Sequence, residues 1–141
     1  MMKISEIMTR QVVALRGEET AATAARLLSS CNIGAAPVVD GRNRVVGMVT
    51  DRDLMIRCLS AGKRPDQTAV SQIMTAGAVT ARPEEDTAVV SAQMGLRQIR
   101  RMPVVENGRL MGMVSLSDIA KHDPDSAVTA LGYISDNISR R

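Results

Sequence analysis

Gly47-Met48-Val49-Thr50-Asp51-Arg52-Asp53 comes back 65 residues later as Gly112-Met113-Val114-Ser115-Leu116-Ser117-Asp118. An apolar run that ends in a hydroxyl, with a carboxylate three residues on, reads as a buried strand running into the start of a helix. Outward from it the match continues. Pro37-Val38-Val39 returns as Pro103-Val104-Val105, and Ile4-Ser5-Glu6-Ile7-Met8-Thr9 as Val70-Ser71-Gln72-Ile73-Met74-Thr75, both 66 residues apart. Order and spacing survive together, which marks an internal duplication. The offset drifts only to 67 between Thr20 and Thr87, and to 65 after the Asp40 to Asn43 turn, where loops and helix ends tolerate it.

Within each half the periodicity changes type in the same order. Gln11 to Leu15 reads as a strand; Glu18-Glu19-Thr20 then supplies acids and a capping hydroxyl before Ala21, Ala24, Ala25, Leu28 and Cys31 recur at helical spacing. Gly34 is expected to close that helix and Pro37 to open the next strand. Asp40-Gly41-Arg42-Asn43 turns the chain and Arg44 to Val49 pairs back. A second helix runs from Asp51 to about Ala61 and stops at Gly62. The second half repeats this with strand Ala78 to Arg82, helix Thr87 to Gln98, strands Met102 to Val105 and Leu110 to Val114, and a helix from Leu116 to about His122. Each repeat is β-α-β-β-α, an α+β arrangement. The predicted organisation is repeat 1 over 1–62, a polar linker over 63–69, repeat 2 over 70–123 and a C-terminal helix over 124–141. That last helix starts at Asp125-Ser126 and aligns Val128, Leu131, Ile134 and Ile138 in one stripe, fit for the chain's own core or for a dimer contact.

At 141 residues, halves of about 60 would each bury a marginal core and are expected to pack on each other. A chain 45% hydrophobic and 23% charged, with no basic-then-apolar leader and no spanning apolar run, points to a soluble cytoplasmic protein away from membranes. Cys31 and Cys58 have no close-spaced partner, so they read as reduced core thiols rather than metal ligands or a redox pair. The net charge of +3 is scattered apart from Arg100-Arg101 and Arg140-Arg141, and Tyr133 is the only aromatic residue. Nucleic acid is thus poorly supported, because no aromatic row exists on which bases could stack.

Catalytic apparatus is thin. His122, the only histidine, falls near a helix end, where a favourable interaction with the negative end of the dipole is the ordinary role. There is no phosphate-binding glycine loop with lysine, no nucleophile elbow and no metal-ligand spacing, and an enzyme is not expected. The ten methionines read as adaptable core packing, with Met48 and Met113 in buried strands. The hydroxyl-and-acid corners carry more. Thr50 and Asp53 fall where free backbone N–H groups favour an anion, and a carboxylate there can accept from both hydroxyls of a ribose. The same residues, with Ser115 and Asp118, also make capping boxes that satisfy the helix ends by themselves.

With these strings on both sides, the duplicated pattern resembles a tandem pair of CBS domains over Ile4 to about Lys121. The resemblance implies two β-α-β-β-α repeats packed about a pseudo-twofold axis, clefts for adenosine-containing ligands on each side of it, and frequent homodimers. It implies that Thr50 and Ser115 meet phosphate and that Asp53 and Asp118 meet ribose, with Ser117 in the same string. Arg100 and Arg101 stand where several family members place cations near phosphate, so the two clefts are expected to differ. Val13, Ile33, Val79 and Ile99 correspond to the residues that line the base in the family, and each is equally good as ordinary core. Thr9 and Thr75 either touch a ligand or cap the turn after Met8 and Met74. Arg52 either reaches a ligand or pairs with a neighbouring acid. AMP, ADP or ATP is the expected ligand, with S-adenosylmethionine or NAD as alternatives. The expected role is regulation of a dimer or partner surface, against a constitutive scaffold with vestigial clefts.

Overall fold

The computed structural model describes residues 1–139, with side chains described through residue 134. The side chain of Ile138 and the Arg140-Arg141 pair lie outside the described residues. The chain forms two compact units that do not coincide with the two repeats of the sequence. Unit 1 takes Met1–Gln11, Val79–Asn107 and the chain from Met111 onward, and unit 2 takes Val12–Ala78 with Gly108–Leu110. The opening segment of each repeat therefore belongs to the unit built by the other.

In unit 2, β1 (Leu15–Arg16), β2 (Ala35–Val39), β3 (Val45–Thr50) and β4 (Thr75–Ala76) form one sheet in that order. The β1–β2 pair is parallel, joined by helix α1 (Ala21–Ser30), and the other pairs are antiparallel. Thr20 caps α1 as expected, its hydroxyl accepting from the Thr23 N–H. Helix α2 (Asp51–Asp53) continues as a π-helix over Leu54–Leu59, with Ser60 N–H donating to the Met55 carbonyl at 2.8 Å. A short α3 (Val70–Ile73) completes a core of Leu15, Ala24, Leu28, Val38, Val49 and Ile73.

Unit 1 is built on α4 (Thr87–Arg97), β5 (Arg101–Glu106), β6 (Arg109–Ser115) from Met111 onward, α5 (Leu116–His122) and α6 (Pro124–Ser139). Its core gathers Ile4, Met94, Met102, Val104, Val114 and Ile119. The one-residue slip in the repeat is a turn effect. Asn107 and Gly108 both take positive φ (53° and 79°), as a two-residue hairpin of twisted strands requires, whereas β2 and β3 are joined by a longer turn with Asn43 at 61°. In that longer turn the Asp40 carboxylate accepts from the backbone N–H groups of Arg42 and Arg44, and from the Arg44 guanidinium at 2.8 Å.

Several expectations need correction. The strand read over Gln11 to Leu15 shrinks to Leu15–Arg16, and that over Ala78 to Arg82 to a single parallel bridge, Ala81 to Val104; the parallel partners are longer, so only the ends of the two predicted strands reach pairing distance. Pro37 is third in β2 rather than first. Its counterpart Pro103 shows how this is tolerated: the bridge uses the Pro103 carbonyl and the Val105 N–H, so the N–H that proline lacks is not called for. Asn32, at φ 52°, rather than Gly34, turns the chain out of α1. Cys31 is exposed while Cys58 is buried, and Met48 and Met113 are only half-buried.

The apolar stripe on α6 is also displaced. Ala127, Ala130 and Ile134 face the core, whereas Val128 (67% exposed) and Leu131 (39%) face outward. Close approach selects the small residues: a Cβ on Gly95 of α4 would lie 3.1 Å from the Ala130 Cα, and Ser91 donates its hydroxyl to the Ser126 carbonyl at 2.7 Å.

At the start of α6, hydrogen bonds from the Ser126 hydroxyl, together with those from the Thr87 hydroxyl (3.2 Å) and the Ser126 backbone, hold the Asp123 carboxyl below its ordinary 3.8. A depressed folded pKa contributes stability that is full above the unfolded value and is lost as pH falls through the folded one. Denaturant melts should therefore show Asp123→Asn less stable than wild type at pH 6, with the gap closing below pH ~3.8 as the wild-type carboxyl protonates. A gap that stays constant to pH 2 would refute the anchoring role.

A crossing of backbones accounts for why Gly-Met-Val-Thr/Ser and Ile-Met-Thr occur together. Thr9 and Met113 exchange both N–H···O=C bonds at 2.8 and 2.9 Å, so the first opening segment lies against β6. A Cβ at Gly112 would sit 2.6 Å from the Thr9 carbonyl oxygen. In unit 2, Thr75 pairs with Met48, and a Cβ at Gly47 would sit 2.7 Å from the Thr75 oxygen. No helix among the described residues is long and apolar enough to cross a membrane.

Candidate functional site

The site of interest in unit 2 begins where β3 ends. Thr50 is extended and caps α2. Its hydroxyl accepts from the Asp53 N–H at 3.0 Å, and Asp53 Oδ2 accepts from the Thr50 N–H at 2.9 Å. In unit 1, Ser115 and Asp118 repeat the pair at 3.0 and 2.9 Å, and the Ser115 and Ser117 hydroxyls stand 2.9 Å apart. Both corners are thus complete capping boxes. Each box uses only one carboxylate oxygen, so Asp53 Oδ1 and Asp118 Oδ1 are free of the cap.

Backbone bonds bring the other candidates to these corners. The Asp51 N–H donates to the Gly34 carbonyl at 3.0 Å, which puts Ile33 and Gly34 beside Thr50. Ile33 is 38% exposed, more than a core isoleucine would be, and Val13 is half-buried. The Leu116 N–H donates to the Arg100 carbonyl at 2.8 Å, which puts Ile99, Arg100 and Arg101 beside Ser115. Both arginines are exposed, while Val79 and Ile99 pack partly buried against the core of unit 1. Thr9 joins the Ser115 corner through its pairing with Met113, and Thr75 joins the Thr50 corner through its pairing with Met48. Both threonines are exposed.

Of the two roles open to Arg52, the ion pair with a neighbouring acid is not formed among the described residues. The acid is taken by a residue that sequence reasoning passed over: Arg57 Nε lies 3.7 Å from Asp53 Oδ1, and its Nη1 donates to the Met74 carbonyl at 3.2 Å. Its four-residue spacing from Asp53 was the available signal. Among the described residues no three His, Cys, Asp or Glu side chains converge as metal ligands would.

The family model of the CBS domain matches residues 4–60 and 70–125. The CBS domain-containing protein YhcV of Bacillus subtilis is 37% identical over 137 residues, spanning 96% of each chain. The crystal structure of Hypoxic Response Protein I with two coordinated zinc ions is similar at TM-score 0.80 and 30% identity, over 86% of this chain and 98% of that one. The CBS domain pair of protein MJ0100, in complex with 5-methylthioadenosine and S-adenosyl-L-methionine, is similar at TM-score 0.77 and 26% identity, over 85% and 94% of the two chains. The duplication, the two hydroxyl-and-acid corners and these matches agree: the chain belongs to the CBS domain family and carries two CBS domains in tandem.

Proposed function

We propose that the protein is a cytoplasmic, non-catalytic regulator that binds adenosine-containing nucleotides at the Thr50–Asp53 and Ser115–Asp118 corners. AMP, ADP or ATP is the first choice of ligand, and S-adenosylmethionine or NAD the second. The observation that carries this reading is that each corner keeps an oxygen of its aspartate outside the capping box, in both units, at the end of a half-buried strand. A ribose hydroxyl can donate to that oxygen without dismantling the helix start. The half-exposed Ile33 supplies an apolar wall for a base, and the exposed Arg100 and Arg101 supply cations for phosphate, for which guanidinium is the geometric match. On this reading Ser117 and Thr9 contribute to the Ser115–Asp118 corner, and Arg52 and Thr75 to the Thr50–Asp53 corner. The related MJ0100 pair, with two adenosine compounds bound, supports the ligand class.

Binding acts on a second copy of the chain or on another protein through differential affinity for two conformations, the only way a ligand can shift an equilibrium. The competing scaffold reading draws on the finished capping boxes, which account for both motifs with no ligand at all. Thermal unfolding with AMP, ADP, ATP, NAD and S-adenosylmethionine separates the two. A ligand at 100 times its dissociation constant adds about 2.7 kcal/mol and raises the midpoint by several degrees. Midpoints unmoved by all five compounds at millimolar concentration would leave the scaffold.

A further inference from the structure

The duplication provides an internal control for a residue outside the motif. Asp53 and Asp118 sit in matching boxes, yet the side chain one turn further on differs: Arg57 follows Asp53 and His122 follows Asp118. Arg57 holds the outward oxygen of Asp53 at 3.7 Å and is itself tethered by its bond to the Met74 carbonyl. The outward oxygen of Asp118 has no hydrogen-bond or ion-pair partner among the described residues, and His122 is exposed.

From this we infer that Arg57 is a specificity-determining positioning residue: it competes for the ribose-accepting oxygen of Asp53, so the Ser115–Asp118 corner takes an adenosine-type ligand before the Thr50–Asp53 corner. The inference rests on the proposed nucleoside binding and adds an order of filling to it. A ribose hydroxyl arriving at Asp118 meets a free acceptor. One arriving at Asp53 must share or displace a guanidinium whose tether to the Met74 carbonyl keeps it in place. The competition is modest, because Arg57 is about half exposed (51%) and pairs of this kind are weak. It is also screened by salt, which gives it a distinctive readout.

Adenosine is the probe, because it has the ribose but no phosphate that could respond to an arginine by itself. Calorimetry of the full chain should resolve a tighter and a weaker class of site, with Asp118→Asn removing the tighter one. Arg57→His should tighten the weaker class about twofold, the worth of an exposed pair four residues apart on a helix. His122→Arg should weaken the tighter class by a similar factor, and Arg57→Lys should restore wild-type behaviour. In wild type the weaker class should tighten as salt rises from 50 to 500 mM, and Arg57→His should lose that dependence. Adenosine bound with affinities that neither exchange nor salt alters would overturn the role of Arg57. No adenosine bound by wild type or any variant would instead overturn the nucleoside reading on which it stands.

Discussion

Gly112→Ala should be the most damaging single-methyl change in unit 1, and Gly47→Ala its equal in unit 2. The added Cβ would meet a carbonyl oxygen at 2.6 Å in the first case and 2.7 Å in the second, with the Met8 or Met74 thioether beside it. A backbone oxygen that is already bonded across the crossing cannot swing aside as a side-chain tip can. Overpacking of this kind costs about 2–3 kcal/mol. For units of this size that lowers the midpoint by roughly 10 °C. Gly132→Ala is the matched control: nothing lies within 4 Å of its Cβ position in α6, so the change should be neutral or mildly stabilising. Calorimetric melts of the three variants check this. Equal midpoints for Gly112→Ala and Gly132→Ala would refute the tight crossing.

Asp118→Asn and Asp53→Asn should separate capping from ligand binding. Asparagine keeps an oxygen that can accept from the Ser115 or Thr50 N–H, so the helix starts survive and the unliganded melts shift little. What is lost is a charged acceptor for ribose. Hydrogen bonds to charged groups are worth about 1.5–3 kcal/mol, so AMP affinity at each altered corner should fall roughly tenfold or more. The double variant should lose measurable AMP binding while remaining folded. Full affinity in the double variant would remove ribose recognition from both aspartates and leave them as caps alone.

Much of the fold is legible in local chemistry. Thr20, Thr50 and Ser115 announce their helices through a hydroxyl at the right offset, and Asp40-Gly41-Arg42-Asn43 announces the turn between β2 and β3. The exchange of the opening segments is not legible in this way. Ile7-Met8-Thr9 and Ile73-Met74-Thr75 are the same string, so local pattern gives each an equal claim on Gly47 and on Gly112. Only the three-dimensional pairing decides. The buried face of α6 misleads for a related reason. Hydropathy favours Val128 and Leu131 over Ala127 and Ala130, but the space left by Gly95 admits only the small residues.

In the candidate site, the Thr/Ser and Asp positions are plain from the motif, because capping geometry is local. The company they keep is not. Bonds between residues far apart in sequence, such as Leu116 to Arg100 and Thr9 to Met113, bring Arg100, Arg101 and Thr9 to the Ser115 corner. Arg57 stands four residues after Asp53, an ordinary helix spacing, and only the three-dimensional arrangement shows that it faces the Asp53 oxygen left over by the capping box.

The crossed assignment of the opening segments has a consequence for biosynthesis. Nearly all of unit 2, residues Val12–Ala78, emerges from the ribosome as one uninterrupted stretch and can begin to collapse while translation continues. Met1–Gln11, made before that stretch, finds its partners only after Val79–Asn107 and the chain beyond Met111 have been synthesised. Residues that leave the tunnel before unit 2 are therefore fastened after it, and a nascent chain halted between the repeats carries its apolar Ile4 and Met8 without the partners that cover them.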